Sequence, residues 1–274
     1  MEPGNGRARR LVLVGCGKMG TAMLRGWIAA RVASHCAVVD PAGIPQVLGS
    51  ASEILWCSSP DELPAEPRPD AVVFAVKPQI AADVVPQYRR WAGSETLFLS
   101  IIAGKTLAGL TRHLGDAAIV RTMPNTPAAI GRGITVACPN PLVTSEQREF
   151  CSRLLAAVGE SAWVEDEGLM DAVTAVSGSG PAYVFLLIEA LARAGQSEGL
   201  PADLAFRLAR LTVAGSGELA RISEEGPAQL RENVTSPGGT TRAALDVLMA
   251  QDGLATLIGR AVAAATVRSR ELAS

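Results

Sequence analysis

At 274 residues, 48% hydrophobic and 19% charged, the chain has the composition of a globular protein with room for two domains, and not of a fibrous or disordered one. A net charge of −2, with no cluster of basic residues inside a folded stretch, excludes a general nucleic-acid binder. The five cysteines (Cys16, Cys36, Cys57, Cys138, Cys151) show no C-x-x-C spacing and the only histidines are His35 and His113, which argues against a disulfide framework, a metal site and histidine acid–base chemistry, and for a cytoplasmic location.

The opening "MEPGNGRARR" reads as a disordered tail over residues 1–10, because glycines and a lysine break the apolar run behind it and no small-residue cleavage site follows. No stretch of about 18 uninterrupted apolar residues exists, so no membrane span is expected. From residue 11 to about 165, short β-branched runs alternate with helical stretches: "LVLVG", "CAVVD", "ILWCS", "AVVFAV", "TLFLSII", "AAIVRTM", "GITVAC" and "SAWVE". Such alternation implies crossover units and a mostly parallel sheet covered on both faces, an α/β fold of the Rossmann type over residues 11–165. Thr144 followed by Gln147 fits a capping box ahead of "REFCSRLLAAVG", with Gly159 as the stop.

After Glu165 the strands end, and residues 166–274 read as an all-α domain with helices near 167–176, 181–197, 201–222, 241–250 and 252–272. Several of these carry apolar residues on more than one face, which points to a homodimer formed through this half.

The chemistry starts at the first strand. Gly15-Cys16-Gly17-Lys18-Met19-Gly20 is a G-x-G-x-x-G between "LVLV" and the helical "TAMLRGWIAA". The first glycine permits the tight turn, the second lets a pyrophosphate reach the backbone, and the third lets helix and strand pack closely. A tight glycine turn with no ligand is the alternative. Asp40 ends the second strand 20 residues after Gly20, where a carboxylate accepts both hydroxyls of an adenosine ribose and repels a 2′-phosphate. That leans toward NADH over NADPH, with nearby Arg31 able to compensate.

Two more loops end strands: "AVKPQ" at residues 75–79 and "AGKT" at residues 103–106. The second is not a Walker motif, since position 99 is leucine where glycine is required, so a nucleotide hydrolase is demoted. The chain has three lysines, Lys18, Lys77 and Lys105, and all lie in these loops. Further on, Glu167 beside Asp166 is either a charge facing a cationic substrate or a solvated acid at a helix start. Ser177 and Ser179 in "SGSGP" have no partner group to activate them and suit a helix break better than nucleophilic catalysis. "NVTSPGGTTRAAL" (residues 233–245) interrupts the helices with a proline, two glycines and four hydroxyl residues; its Asn233-Val234-Thr235 is a chance glycosylation match in a cytoplasmic chain. Gly238 and Gly239 shape a turn, and Thr240 and Thr241 open the next helix with free amides suited to a carboxylate.

In order and spacing, "GCGKMG", "AVKPQ", "RTMPNTPAAIGRG", "DAVTAVSGSGPAYVF" and "LRENVTSPGGTTRAALDVL" resemble the pyrroline-5-carboxylate reductases from about Leu11 to Leu272. The resemblance implies NAD(P)H-dependent reduction of 1-pyrroline-5-carboxylate to L-proline, the last step of proline biosynthesis. It also implies a helical domain interleaved with its twin, and a ring of five such dimers. Carried over by position, cofactor contacts fall on Val14, Gly15, Cys16, Gly17, Lys18 and Met19, on Ala75, Val76, Lys77 and Pro78, on Ala103 and Gly104, and on Asn233. Substrate contacts fall on Glu167, Thr240 and Thr241, with Thr241 near the imine nitrogen. The chain departs from many relatives at Asp40 and at Ser59. A related imine or β-hydroxyacid dehydrogenase shares the layout but is expected to carry a lysine or other strong acid in the helical half, which here has no lysine. A methyltransferase or a silent dinucleotide sensor leaves the later loops unexplained.

Overall fold

The computed structural model describes residues 9–45 and 54–272. Among the described residues one eight-stranded sheet runs in the order β3-β2-β1-β4-β5-β6-β7-β8. The strands are β1 (Arg10–Val14), β2 (His35–Val39), β3 (Ile54–Cys57), β4 (Ala71–Phe74), β5 (Leu97–Ser100), β6 (Ala118–Met123), β7 (Gly133–Pro139) and β8 (Gly159–Trp163). All neighbours pair in parallel except β6 and β7, which are antiparallel. Alternation along each strand sends successive side chains to opposite faces. Leu11 and Leu13 thus join Met23, Trp27, Phe150 and Leu154 on one face, while Val12 and Val14 join Phe74, Tyr88 and Phe98 on the other. Each fully buried side chain of this size contributes roughly 1.5–3 kcal/mol.

The helices of this region are α1 (Lys18–Ala30), the short α2 (Ala81–Val84), α3 (Leu107–Leu114) and α4 (Ser145–Ala156). Trp27 on α1 donates its indole N–H to the Leu154 carbonyl of α4 at 2.9 Å, which satisfies the polar atom of a buried side chain. α4 starts with the expected capping box: Gln147 N–H donates to the Thr144 hydroxyl at 3.2 Å and Thr144 N–H to Gln147 Oε1 at 3.0 Å. It ends earlier than expected, with Ala157 as C-cap, and Gly159 opens β8 instead. Most of the tail expected over residues 1–10 lies outside the described residues. Arg9 and Arg10 belong to the fold: Arg9 Nη1 donates to Asp70 Oδ1 at 2.9 Å, and Arg10 N–H to Oδ2 at 2.8 Å.

Beyond β8 the chain is helical. A 3₁₀ turn (Glu167–Leu169), α5 (Met170–Val173) and one π-helical turn (Thr174–Gly178) replace the single helix expected at 167–176. Then come α6 (Gly180–Ser197), α7 (Ala202–Ile222), α8 (Pro227–Asn233), α9 (Thr240–Leu248) and α10 (Leu254–Leu272); α8 was not expected. By packing, the described residues form two units: those up to 178 together with 266–272, and residues 179–265. In the second unit α6 packs on α7, yet large apolar side chains stay open, including Phe185 at 59%, Leu186 at 61% and Leu211 at 55% exposed. Within the run Glu167–Ser197 an 18-residue window reaches a mean hydropathy of 1.4, enough to cross a bilayer by length and composition, although 3₁₀ and π turns and Gly180-Pro181 interrupt the run.

Candidate functional site

In an open parallel sheet, ligands bind where the strand order reverses, beyond the C-terminal strand ends. Here that point lies between β1, which pairs with β2 on one side, and β4 on the other. A cleft of about 650 Å³ sits there, lined by Val14, Gly15, Gly17, Asp40, Ala75, Val76 and Lys77 of the expected cofactor residues, and also by Ser58 and Ser59.

The three motif glycines answer to three different constraints. Gly15 turns with φ of +88°, and a Cβ there would stand 2.9 Å from the Ala75 carbonyl oxygen. A Cβ on Gly20 would collide with the Gly15 carbonyl, so the third glycine lets α1 lie close to the strand end. Around Gly17 nothing lies within 4 Å of such a Cβ, so the protein itself does not require glycine at the position where a pyrophosphate is expected to approach. α1 has no side-chain cap, and its first intrahelical bond is Thr21 N–H to the Gly17 carbonyl at 2.8 Å. The amides of Lys18, Met19 and Gly20 therefore precede the helical ladder and suit an anion. These features fit a dinucleotide.

Asp40 is held in place before any ligand arrives. Its Oδ2 accepts the Cys16 N–H at 2.6 Å and its Oδ1 accepts the Ala42 N–H at 2.9 Å. It thus ties the glycine loop to the end of β2 and keeps a carboxylate on the cleft wall. Cys16 is buried, and desolvation raises its thiol pKa. Lys77 lines the cleft, whereas Lys105 lines a separate small cavity with Thr106, Arg112 and His113. Pro78 starts a 3₁₀ turn next to Lys77. Ala103 and Gly104 follow β5, whose Ser100 pairs with Phe74 of β4, so their loop neighbours the Ala75–Pro78 loop on the same sheet edge.

Glu167 is not a solvated helix-start acid. Its Oε1 accepts Arg121 Nη1 at 2.7 Å and the Leu107 N–H at the start of α3 at 2.8 Å. The Arg121 side chain is only 6% exposed, so the carboxylate neutralises a buried charge while facing the positive end of a helix. Arg121 was missed from sequence, though an arginine inside the apolar run "AAIVRTM" signals a buried partner. Asn125 was missed too: Nδ2 donates to Ser177 Oγ at 3.2 Å and Oδ1 accepts the Ile134 N–H at 3.0 Å. Ser177 and Ser179 stand where a π turn gives way to α6, in keeping with a helix break.

In the second unit, Gly238 turns with φ of +68° and Gly239 is the N-cap of α9. Ala243 N–H makes the first intrahelical bond, to the Gly239 carbonyl at 3.2 Å, which leaves the amides of Thr240, Thr241 and Arg242 ahead of it. The half-buried Thr241 hydroxyl has no hydrogen-bond partner among the described residues. The Asn233 amide is already engaged, donating to Glu225 Oε2 at 2.7 Å and accepting from Gln229 Nε2 at 2.9 Å.

Comparison with known proteins covers nearly the whole chain. Residues 167–272 match the family described as pyrroline-5-carboxylate reductase dimerisation, and residues 10–104 match NADP oxidoreductase coenzyme F420-dependent. A pyrroline-5-carboxylate reductase from Pseudomonas aeruginosa is 40% identical over 266 residues, covering 96% of this chain and 97% of its own. The solved pyrroline-5-carboxylate reductase of Coxiella burnetii superposes with a TM-score of 0.89 at 31% identity, covering 98% of this chain and 100% of its own. The pyrroline carboxylate reductase of Plasmodium falciparum, solved with NADP bound, gives 0.82 at 32% identity over 97% and 98%.

Proposed function

This chain belongs to the pyrroline-5-carboxylate reductase family, and from that premise we propose how its own residues divide the work. The reaction is the reduction of 1-pyrroline-5-carboxylate to L-proline with a nicotinamide cofactor, and the C-terminal helices form an oligomerisation region. When bound, the cofactor supplies the hydride for the imine carbon. The protein has to orient the reactants, hold the substrate carboxylate and keep the nitrogen protonated, because an iminium accepts hydride far better than a neutral imine.

The observation that carries the substrate assignment is the start of α9. Unspent amides at Thr240, Thr241 and Arg242 offer a carboxylate three donors, and the partnerless Thr241 hydroxyl is available to a nitrogen. A substrate that arrives protonated needs no strong general acid: the Thr241 hydroxyl oxygen accepts the iminium N–H and orients the ring, and once hydride transfer has restored a lone pair to nitrogen it relays a proton from water to the new amine. Glu167, fixed through Oε1, keeps its other oxygen for the cationic ring. On the cofactor side, Val14, Gly15, Gly17 and the amides of Lys18 and Met19 hold the pyrophosphate, and the Ala75–Pro78 and Ala103–Gly104 loops flank the dinucleotide. Asp40 favours NADH over NADPH by repelling a 2′-phosphate.

We place the dinucleotide-binding domain at residues 11–165 and the dimerisation and substrate domain at 166–274. The chain works as a homodimer, with five dimers closing into a decamer, in the cytoplasm, where its free cysteines stay reduced. Incubating the purified protein with pyrroline-5-carboxylate and either NADH or NADPH, and following the loss of dihydronicotinamide absorbance, tests the assignment. No oxidation with either cofactor at saturating substrate overturns it.

A further inference from the structure

The first packing unit is made of two pieces of chain, and the end of the later piece, residues 266–272, meets the loop that follows β5 at Gly104. Gly104 turns with φ of +73°, and a Cβ built there would stand 2.8 Å from the Leu272 carbonyl oxygen, closer than real Cβ contacts come. The end of α10 thus lies against the backbone of the loop at a place where only glycine fits. One helical turn earlier, Ser269 is 6% exposed, and its hydroxyl donates to Asp171 Oδ1 on α5 at 2.7 Å. Arg270 Nε stands 3.9 Å from the other oxygen of Asp171. The far end of the same loop is held as well, through the Leu107 N–H on Glu167.

We propose that the last turn of α10, pinned by the Ser269–Asp171 hydrogen bond, is a clasp that positions the Ala103–Gly104 loop for the nicotinamide dinucleotide. Ser269 and Asp171 are then positioning residues for cofactor binding, although neither touches the cofactor. The inference rests on the reading of Ala103 and Gly104 as cofactor contacts. Its physical basis is entropic: a loop with a left-handed glycine at its turn is costly to order, and a loop ordered in advance spends less binding energy on that step. The clasp bond is charge-assisted and largely shielded from water, so it holds better than a surface contact.

The test uses the full chain with Ser269→Ala, Ser269→Thr and Gly104→Ala. The dissociation constant for NADH is read from its fluorescence, KM is measured separately for NADH and for the imine, and molecular mass is taken from sedimentation. Ser269→Ala should raise both the NADH dissociation constant and its KM by about 3- to 10-fold, the usual effect of losing one buried hydrogen bond. Turnover, imine KM and mass should stay at wild-type values, and Ser269→Thr, which keeps the hydroxyl, should restore binding. Gly104→Ala should weaken NADH binding more strongly. If Gly104→Ala weakens binding and Ser269→Ala does not, the clasp is overturned while the loop keeps its cofactor role. If neither variant changes NADH binding, the loop is not a cofactor contact, and the clasp fails with it. A Ser269→Ala protein that loses mass, turnover and thermal stability together, with unchanged NADH binding, shows a purely structural bond and also overturns the proposal.

Discussion

Asp40 combines two tasks that substitution can separate. Its carboxylate accepts the Cys16 amide and so shapes the glycine loop, while its charge stands on the wall of the cleft proposed for the cofactor. Asp40→Asn keeps an acceptor for that amide and removes the charge; Asp40→Ser shortens the side chain as well. Both should raise kcat/KM with NADPH relative to NADH, and Asn should do so with less loss of overall cofactor affinity. An unaltered ratio in both variants shows that Asp40 does not read the ribose. Thr241→Ala should cut turnover by about 10- to 1000-fold with cofactor affinity nearly intact, as for loss of a positioned donor, and steady-state kinetics with NADH binding measured in parallel decides it. The thiols give a pH prediction. Burial pushes Cys151 up to about 12 and Cys36 up to about 11, so the folded state holds these protons more tightly than the unfolded chain does. Their stabilisation is complete below the unfolded thiol value of about 9 and is lost as pH rises toward 11–12. Urea midpoints should therefore fall above about pH 9, and less steeply in Cys151→Ala relative to its own neutral-pH value. At this scale sequence exposed the residues whose types are unusual for their place, such as Asp40 and Thr241. It hid pairings such as Arg121 with Glu167, because 46 residues separate the partners and no local spacing relates them.

Elements were legible where a local rule suffices. Thr144 and Gln147 sit three apart, and a capping box needs nothing else; Thr144→Ala should lower stability by about 1 kcal/mol, measurable as a shift in urea midpoint with unchanged kinetics. An unshifted midpoint means that the cap contributes nothing net. The reversed direction of β7 was not among the expectations, although its cause is local. Only nine residues, 124–132, join Met123 to Gly133, too few for the dozen or more that a parallel crossover requires. α8 was hidden for the opposite reason. Seven residues, "PAQLREN", are too short to establish an apolar period, and the segment has no buried residue to mark a face. Nor did the helical pattern near 167–176 betray its division into 3₁₀, α and π turns, because all three place apolar residues at similar intervals.

At the scale of the whole molecule, the second packing unit leaves more large apolar surface open than a monomer in water usually does. Phe185, Leu186 and Leu211 are each more than half exposed, and the matched dimerisation region covers them all. An exposed apolar surface of this kind, on helices matched to a dimerisation family, fits an oligomerisation surface. Sequence showed the excess of apolar faces but not the partner, because periodicity reports that a face is buried and not what buries it. Introducing one charge into such an interface leaves an unpaired ion where water is excluded, which costs several kcal/mol and outweighs most single contacts. Phe185→Asp should therefore shift sedimentation to the monomer at micromolar protein, abolish turnover and lower the thermal midpoint. The midpoint of the wild type should rise with protein concentration, as expected when folding and association are linked, and that of the variant should not. A Phe185→Asp protein that keeps its assembled mass would show that this face points away from the dimer contact and that α7, through Leu211, carries it instead.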